Sequence, residues 1–226
     1  MHLIVKVLES LRKEGVLKTL RTAGRIIADY TFDWKYGTDT MQRVDVESFD
    51  TDSGQKIHAQ RYQASMAHPL LNLFRILRLP ADGVFVDLGS GKGRVLLIAS
   101  RLGFKRVVGI EFCAQLCRQA RKNAELFLKK YPSIAPIEVI ESDVTCYDFR
   151  GDENIFFLYN PFDSVVLERV LSNITRSVQK APRDIWLIYN NPVHHRVVQN
   201  NAAFAQYIKY DIEGEIFHVY RHHAKK

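Results

Sequence analysis

Residues 84–94 read Val84-Phe85-Val86-Asp87-Leu88-Gly89-Ser90-Gly91-Lys92-Gly93-Arg94, and the fold follows from how this stretch is read. An apolar run ends at Asp87, glycines stand at 89, 91 and 93, and a helical pattern then begins. This is the order of a strand that turns sharply into a helix, with backbone N–H groups open to a ligand because no Cβ shields them. The helix offers the positive end of its dipole at the same point, a position that favours carboxylate, ribose or phosphate oxygens. Two common cradles are excluded by spacing. A dinucleotide fingerprint has its glycines as G-x-G-x-x-G and needs no acid before them. A mononucleotide loop needs Ser or Thr after its lysine, whereas Gly93 follows Lys92 here.

Outward from this turn, the pattern alternates. Strands are expected at 84–87, 107–111, 137–141, 155–160 and 185–190, with helices at about 92–102, 113–130 and 164–179 between them. Apolar, β-branched strands separated by helices give a parallel sheet with crossovers, hence an α/β, Rossmann-like doubly wound domain. Phe204 to Ile212 and Glu215 to His222 read as a terminal antiparallel hairpin turned at Glu213-Gly214. Residues 1–79 form an amino-terminal helical extension and 80–226 the main domain, divided at Pro80-Ala81-Asp82-Gly83. In the extension, residues 2–30 carry an amphipathic pattern interrupted near Gly15. That pattern suits packing on the domain, and its Lys and Arg residues also allow peripheral contact with a membrane surface. A further helix is expected over 63–79, and the loop Phe32–Thr40 has the aromatic and polar mix of a lid.

In such sheets ligands sit beyond the carboxyl ends of the strands, near the switch in strand order. The polar residues there are Asp87 after the first strand, Glu111 after the second, Asp143 after the third and Asn160 after the fourth. Glu111 falls 24 residues beyond Asp87, close to the offset at which an acid receives ribose hydroxyls. A second Asn-Pro step, Asn191-Pro192, ends the fifth strand and is a candidate pocket wall.

Size and composition constrain the reading further. The chain has 226 residues, 46% of them hydrophobic, which suffices for one packed domain with an appendage. The net charge of +7 is spread along the sequence, so it permits a nucleic-acid partner without requiring one. Cys113, Cys117 and Cys146 form neither an even disulfide framework nor a paired metal motif, which favours a reducing, cytoplasmic setting and no metal. The amino-terminal apolar run is broken by Lys6 and Glu9, too short for a spanning helix or a signal core.

The acid-and-glycine arrangement of Asp87, Gly89, Gly91 and Gly93, with the terminal hairpin, resembles the class I (seven-β-strand) S-adenosylmethionine-dependent methyltransferases, closest to bacterial members that carry an amino-terminal helical extension. The phrase Val-Asp-Leu-Gly-Ser-Gly-Lys-Gly-Arg followed by Gly-Ile-Glu is also distantly similar to the seven-strand protein lysine methyltransferases, including the disruptor-of-telomeric-silencing histone enzymes. The resemblance implies a cofactor, S-adenosyl-L-methionine, held by Asp87, Gly89, Ser90, Gly91, Gly93, Glu111, Phe112, Asp143, Val144 and Asn160. In it, Asp87 orients the methionine ammonium, Glu111 takes the ribose and Asp143 accepts from the adenine amino group.

Tyr159-Asn160-Pro161-Phe162 looks like the Asn/Asp-Pro-Pro-aromatic motif of amino-group methyltransferases, with one proline in place of two. It implies that these four residues carry the transfer; the aromatic and polar loop separately makes Tyr36 and Thr38, with Tyr62, candidates for the substrate side or lid. The expected activity is N-methylation of an amine such as a protein lysine. The alternatives are a nucleic-acid base or small molecule as acceptor, or a non-catalytic module that binds the cofactor.

Overall fold

Val84–Leu88 (β1) is buried at all five positions, and this fixes it as the interior strand of a sheet covered on both faces. The computed structural model describes residues 24, 27, 29, 31–45, 62–132 and 134–224. Among them the elements run α1 (Ala67–Leu77), β1, α2 (Arg94–Ser100), β2 (Arg106–Glu111), α3 (Ala114–Lys130), β3 (Ile137–Glu141), β4 (Glu153–Tyr159), α4 (Ser164–Lys180), β5 (Ile185–Asn190), α5 (His195–Gln199), β6 (Tyr207–Ile212) and β7 (Glu215–His222). The seven strands lie in the order β3-β2-β1-β4-β5-β7-β6. The first five in this order are parallel, and β7 pairs antiparallel with both β5 and β6. Strand order reverses between β1 and β4, and the register there sets Asp87 beside Gly109 of β2 and Phe157 of β4.

Local chemistry sets the element ends. Gly93, at φ 83°, is the last residue before α2, so this helix starts at Arg94, two residues later than the sequence pattern suggested. Arg78, at φ 48°, ends α1. Asp163 caps α4 by accepting from the N–H groups of Val165 and Val166, both at 3.0 Å. The hairpin begins at Tyr207, not Phe204. Asn201 accepts from Ala203 N–H at 3.0 Å and holds Ala202–Phe204 in a 3-10 turn that buries Phe204 in the core. The short helix α5 has no counterpart in the sequence reading. It is a brief turn after Asn191-Pro192 with Val198 as its one buried side chain, too short to produce a periodic signal.

The extension is stitched to the main domain by buried polar contacts. Leu70, Leu73 and Phe74 of α1 share a core with Phe85, Ile98 and Phe104. Arg94, with a side chain 1% exposed, donates from Nη1 to Asp29 Oδ1 at 3.1 Å and from Nη2 to the Asp29 carbonyl at 2.6 Å. Its guanidinium also lies 4.6 Å from the centroid of the Phe32 ring. Asp29 Oδ1 further accepts from Ala67 N–H at 2.8 Å, tying the start of α1 to the same pair. Asp33 shapes the next loop by accepting from Thr38 Oγ1, Thr40 N and Oγ1, and Met41 N. Asn123 of α3, fully buried, accepts from Asp39 N and donates to the carbonyls of Asp39 and Lys92 at 3.0 and 2.9 Å. The Lys92 ammonium meets both Asp39 oxygens at 3.2 Å. Of the amphipathic pattern over residues 2–30, with its suggested membrane contact, all but Gly24, Ile27 and Asp29 lies outside the described residues.

Asp29→Ala leaves the Arg94 cation buried without its counter-charge. It is expected to lower stability by about 3–5 kcal/mol in urea unfolding, the range for breaking one side of a buried pair.

Candidate active site

Parallel pairing delivers four strand ends to one edge of the sheet, and a cavity of about 390 Å³ opens there. Its floor is the β1–α2 turn, with Asp87, Gly89, Ser90 and Gly91. Glu111 and Phe112 line it from the end of β2, and Ser142, Asp143, Val144 and Thr145 from beyond β3. Tyr159, Asn160, Pro161 and Phe162 close it from β4, and Tyr62 covers it from the extension. The volume falls in the range of small-molecule sites.

The glycines are needed for space as well as conformation. Gly89, at φ 82°, would place a Cβ 2.5 Å from Pro161 Cβ, so the cradle and the Asn160-Pro161 turn touch only because that carbon is absent. Gly91, at φ 53°, would drive a Cβ into the ring of Tyr62. Tyr62 in turn donates its hydroxyl to the Thr40 carbonyl at 2.6 Å, so the extension forms a roof over the glycine turn. Ser90 Oγ is buried in this cradle against the backbone of Gly109 and has no hydrogen-bond partner among the described residues.

The electrostatics set two acids against burial. Asp87 is 3% exposed, and burial, with the nearby Glu111 second, pushes its carboxyl well above the usual carboxylate range. Burial also raises Glu111, partly offset by the N–H groups it accepts from. Glu111 Oε2 takes the Gly91 N–H and Oε1 the Cys113 N–H, each at 2.9 Å. Glu111 therefore braces the cradle and the start of α3 while facing the cavity, and each oxygen keeps a lone pair for a hydroxyl donor. Asp143 Oδ1 accepts from the N–H and hydroxyl of Thr145, both at 2.8 Å, and so orders its own turn within the cavity wall. Asn160 holds φ 42° and accepts at Oδ1 from the Tyr189 hydroxyl at 2.8 Å. Burial lifts Tyr159 to about 12, so its phenol stays neutral, and Gln63 Nε2 donates to it at 3.1 Å.

Three residues expected at the site lie elsewhere. Tyr36 is buried against Phe32, Phe127 and Tyr131, its hydroxyl accepting from Arg101 Nη1 at 2.9 Å; it anchors the extension and does not face the cavity. Thr38 donates to Asp33 within its own loop. Gly93 packs on Ala120 at the start of α2 and supplies a backbone turn, not a cavity surface. The sequence reading missed Arg94, Val166 and Arg169 as lining residues. Arg94 directly follows the glycines, yet its partner Asp29 is 65 positions away, and nothing local announces the pair. Asn191 does line the cavity, and its backbone is also left-handed at φ 50°.

Comparison with known proteins agrees with this geometry. The family described as Histone methylation protein DOT1 matches residues 56–167, just under half of the chain. A SAM-dependent methyltransferase from Aquifex aeolicus superposes with a TM-score of 0.54 at 13% identity, covering 68% of this chain and 88% of that one. The ribosomal protein L11 methylase of Lactobacillus delbrueckii subsp. bulgaricus gives 0.52 at 16% identity, with 71% and 81% covered. No curated protein matches the chain in sequence. With its seven-strand sheet and terminal antiparallel hairpin, the chain has the fold of the class I S-adenosylmethionine-dependent methyltransferases. S-adenosylmethionine is the cofactor of that class, and the open glycine backbone and the Asp87 and Glu111 carboxylates fit it.

Two outcomes are expected. Gly91→Ala should displace Tyr62, weaken S-adenosylhomocysteine binding at least about tenfold, and cost about 1–3 kcal/mol of stability, as overpacked sites do; calorimetry and thermal unfolding read the two effects. Cofactor affinity should rise with pH through the elevated Asp87 value. Below that value the free protein holds this acid protonated, whereas a cationic ligand favours its carboxylate, so binding there expels a proton. Calorimetry in buffers of different ionisation heat measures the release, and a pH-independent affinity would contradict it.

Proposed function

We propose that the protein transfers a methyl group from S-adenosyl-L-methionine to an amine nitrogen, with a protein lysine as the favoured acceptor. The observation that carries this reading is the contact of the Asn160-Pro161 turn with Gly89, which sets a neutral hydrogen-bond acceptor directly against the cofactor cradle. When bound, the cofactor supplies an electrophilic methyl on sulfur that is displaced in line. The chain's own residues hold the two partners. Asp87 faces the methionine ammonium, Glu111 the ribose hydroxyls and Asp143 the adenine end, while Ser90 and the Gly89 and Gly91 backbones give close support.

Asn160 has the chemistry that an acceptor amine requires. An amide oxygen takes a hydrogen from the nitrogen and leaves its lone pair free for attack. Tyr159 and Phe162, both lining the cavity, offer aromatic faces to the positive charge that moves from sulfur to nitrogen. Alignment of a neutral nucleophile, with water kept out beneath Tyr62, then provides most of the catalysis. The match to Histone methylation protein DOT1 over residues 56–167 supports a protein acceptor. Free Cys113, Cys117 and Cys146 support a reducing, cytoplasmic setting, and among the described residues no helix is long and apolar enough to cross a membrane.

A nucleic-acid acceptor is the second reading, favoured by the net charge of +7. Incubation with labelled cofactor and fractionated cell lysate separates the two. Label removed by protease and untouched by nuclease supports a protein acceptor; nuclease-sensitive label, with binding that weakens steeply in salt, supports a nucleic acid. Cofactor binding without label in any fraction would identify a non-catalytic module. Asn160→Ala should abolish most labelling, by about 10²-fold or more, while leaving S-adenosylhomocysteine affinity close to that of the parent protein. Equal loss of both would remove Asn160 from the transfer step.

A further inference from the structure

Strands β4 and β5 are neighbours, and each is followed directly by an asparagine with a left-handed backbone, Asn160 at φ 42° and Asn191 at φ 50°. Asparagine tolerates this conformation better than most residues, but a non-glycine residue persists there only where its surroundings hold it. At Asn160 the hold is visible. Tyr189, the penultimate residue of β5, is 0% exposed, and its ring packs among Leu158, Leu187 and Val198 in the core. Its hydroxyl donates to Asn160 Oδ1 at 2.8 Å and accepts from the His194 N–H at 3.3 Å. The chain of donors therefore runs in one direction, from the His194 amide through the Tyr189 hydroxyl to the Asn160 carbonyl oxygen, and both functions of the phenol are used.

Tyr189 does not line the cavity. It touches nothing that enters the site, and its effect on chemistry passes through Asn160 alone. An asparagine side chain on a turn would otherwise be free to rotate about χ2, presenting oxygen or nitrogen to the acceptor with similar ease. With Oδ1 pinned on one side by a buried phenol, the second lone pair of that oxygen has a fixed direction. A donor bond to the same oxygen also increases the polarity of the amide in a low-dielectric setting.

We infer that Tyr189 is the positioning residue of the transfer site: its buried hydroxyl, oriented by the His194 N–H, fixes the Asn160 amide so that Oδ1 meets the N–H of the acceptor nitrogen. The inference rests on the proposed role of Asn160. It extends the transfer machinery from the Asn-Pro-Phe turn to the adjacent strand and to the turn that follows it.

The test needs no knowledge of the acceptor. Sinefungin carries an amino group where the cofactor has its sulfonium methyl, so its N–H groups probe the polar atoms that face the transferred methyl; S-adenosylhomocysteine has no group there. Calorimetry on the full chain gives the ratio of the two affinities for the parent protein, Tyr189→Phe, Asn160→Ala and the double variant. The parent should prefer sinefungin by about tenfold or more, the worth of a hydrogen bond to a charged group. Tyr189→Phe should lose most of that preference while S-adenosylhomocysteine affinity stays within about twofold, and the double variant should lose no more than Asn160→Ala does. Asn160→Asp, whose two equivalent oxygens need no orienting donor, should restore the preference when combined with Tyr189→Phe, and failure of that rescue in a folded double variant would overturn the positioning role.

Retention of the preference in Tyr189→Phe, alongside its loss in Asn160→Ala, would overturn the positioning role and leave the proposed function standing. A parallel fall in both affinities would reduce Tyr189 to a structural residue and overturn it as well. Retention of the preference in Asn160→Ala would remove Asn160 from the transfer site, and both readings would fall together.

Discussion

The contact on which the site depends is that of Gly89 with Pro161. Strands β1 and β4 lie side by side at the point where strand order reverses, so the turn that leaves β1 and the turn that ends β4 compete for one volume. The missing Cβ of Gly89 resolves that competition, and the left-handed backbone at Gly89 and Asn160 lets both turns bend away from the sheet. The glycine cradle and the Asn160-Pro161 turn are thus one packed unit. Glu111 extends it by accepting from Gly91 N–H and Cys113 N–H, which joins the first glycine turn to the start of α3.

Burial gives this unit its electrostatic character. Asp87 and Glu111 are nearly sealed from water, and desolvation favours their neutral forms in the free protein. A cationic ligand beside these acids would favour their charged forms instead. Arg94 follows the same logic on the other side of α2. Its cation is buried, with Asp29 and the Phe32 ring as its company, which ties the extension to a residue of the cavity wall.

The sheet and the floor of the crevice were legible in the sequence because their determinants are local. Asp87, the three glycines, Glu111, Asp143 and Asn160 each stand at the end of a strand that its own apolar run announces. The extension was less legible because it is held by pairs with no periodic signal. Tyr36 and Thr38 looked like lid residues from composition, yet Tyr36 fills an aromatic nest against α3 and Thr38 serves Asp33. Tyr62, from the same reading, does roof the glycines, and what separates it from Tyr36 is the position of one chain segment over Gly91, which spacing does not encode. The delayed start of β6 has a similar origin. Phe204 has strand character, but the Asn201 side chain competes for the backbone and wins.

Asn123 carries a consequence for how the molecule assembles. Its one amide bridges Asp39 and Lys92, segments 84 and 31 positions distant from it. These are contacts of long sequence separation, and they close only after the chain has looped back on itself, which slows their formation relative to the local turns of the helices. The glycine turn can take shape with its flanking strand and helix, whereas its bracing waits for the polypeptide made first to be met by the helix made later. The brace behind the glycine turn therefore depends on an encounter between distant parts of the sequence and not on the turn's own residues alone.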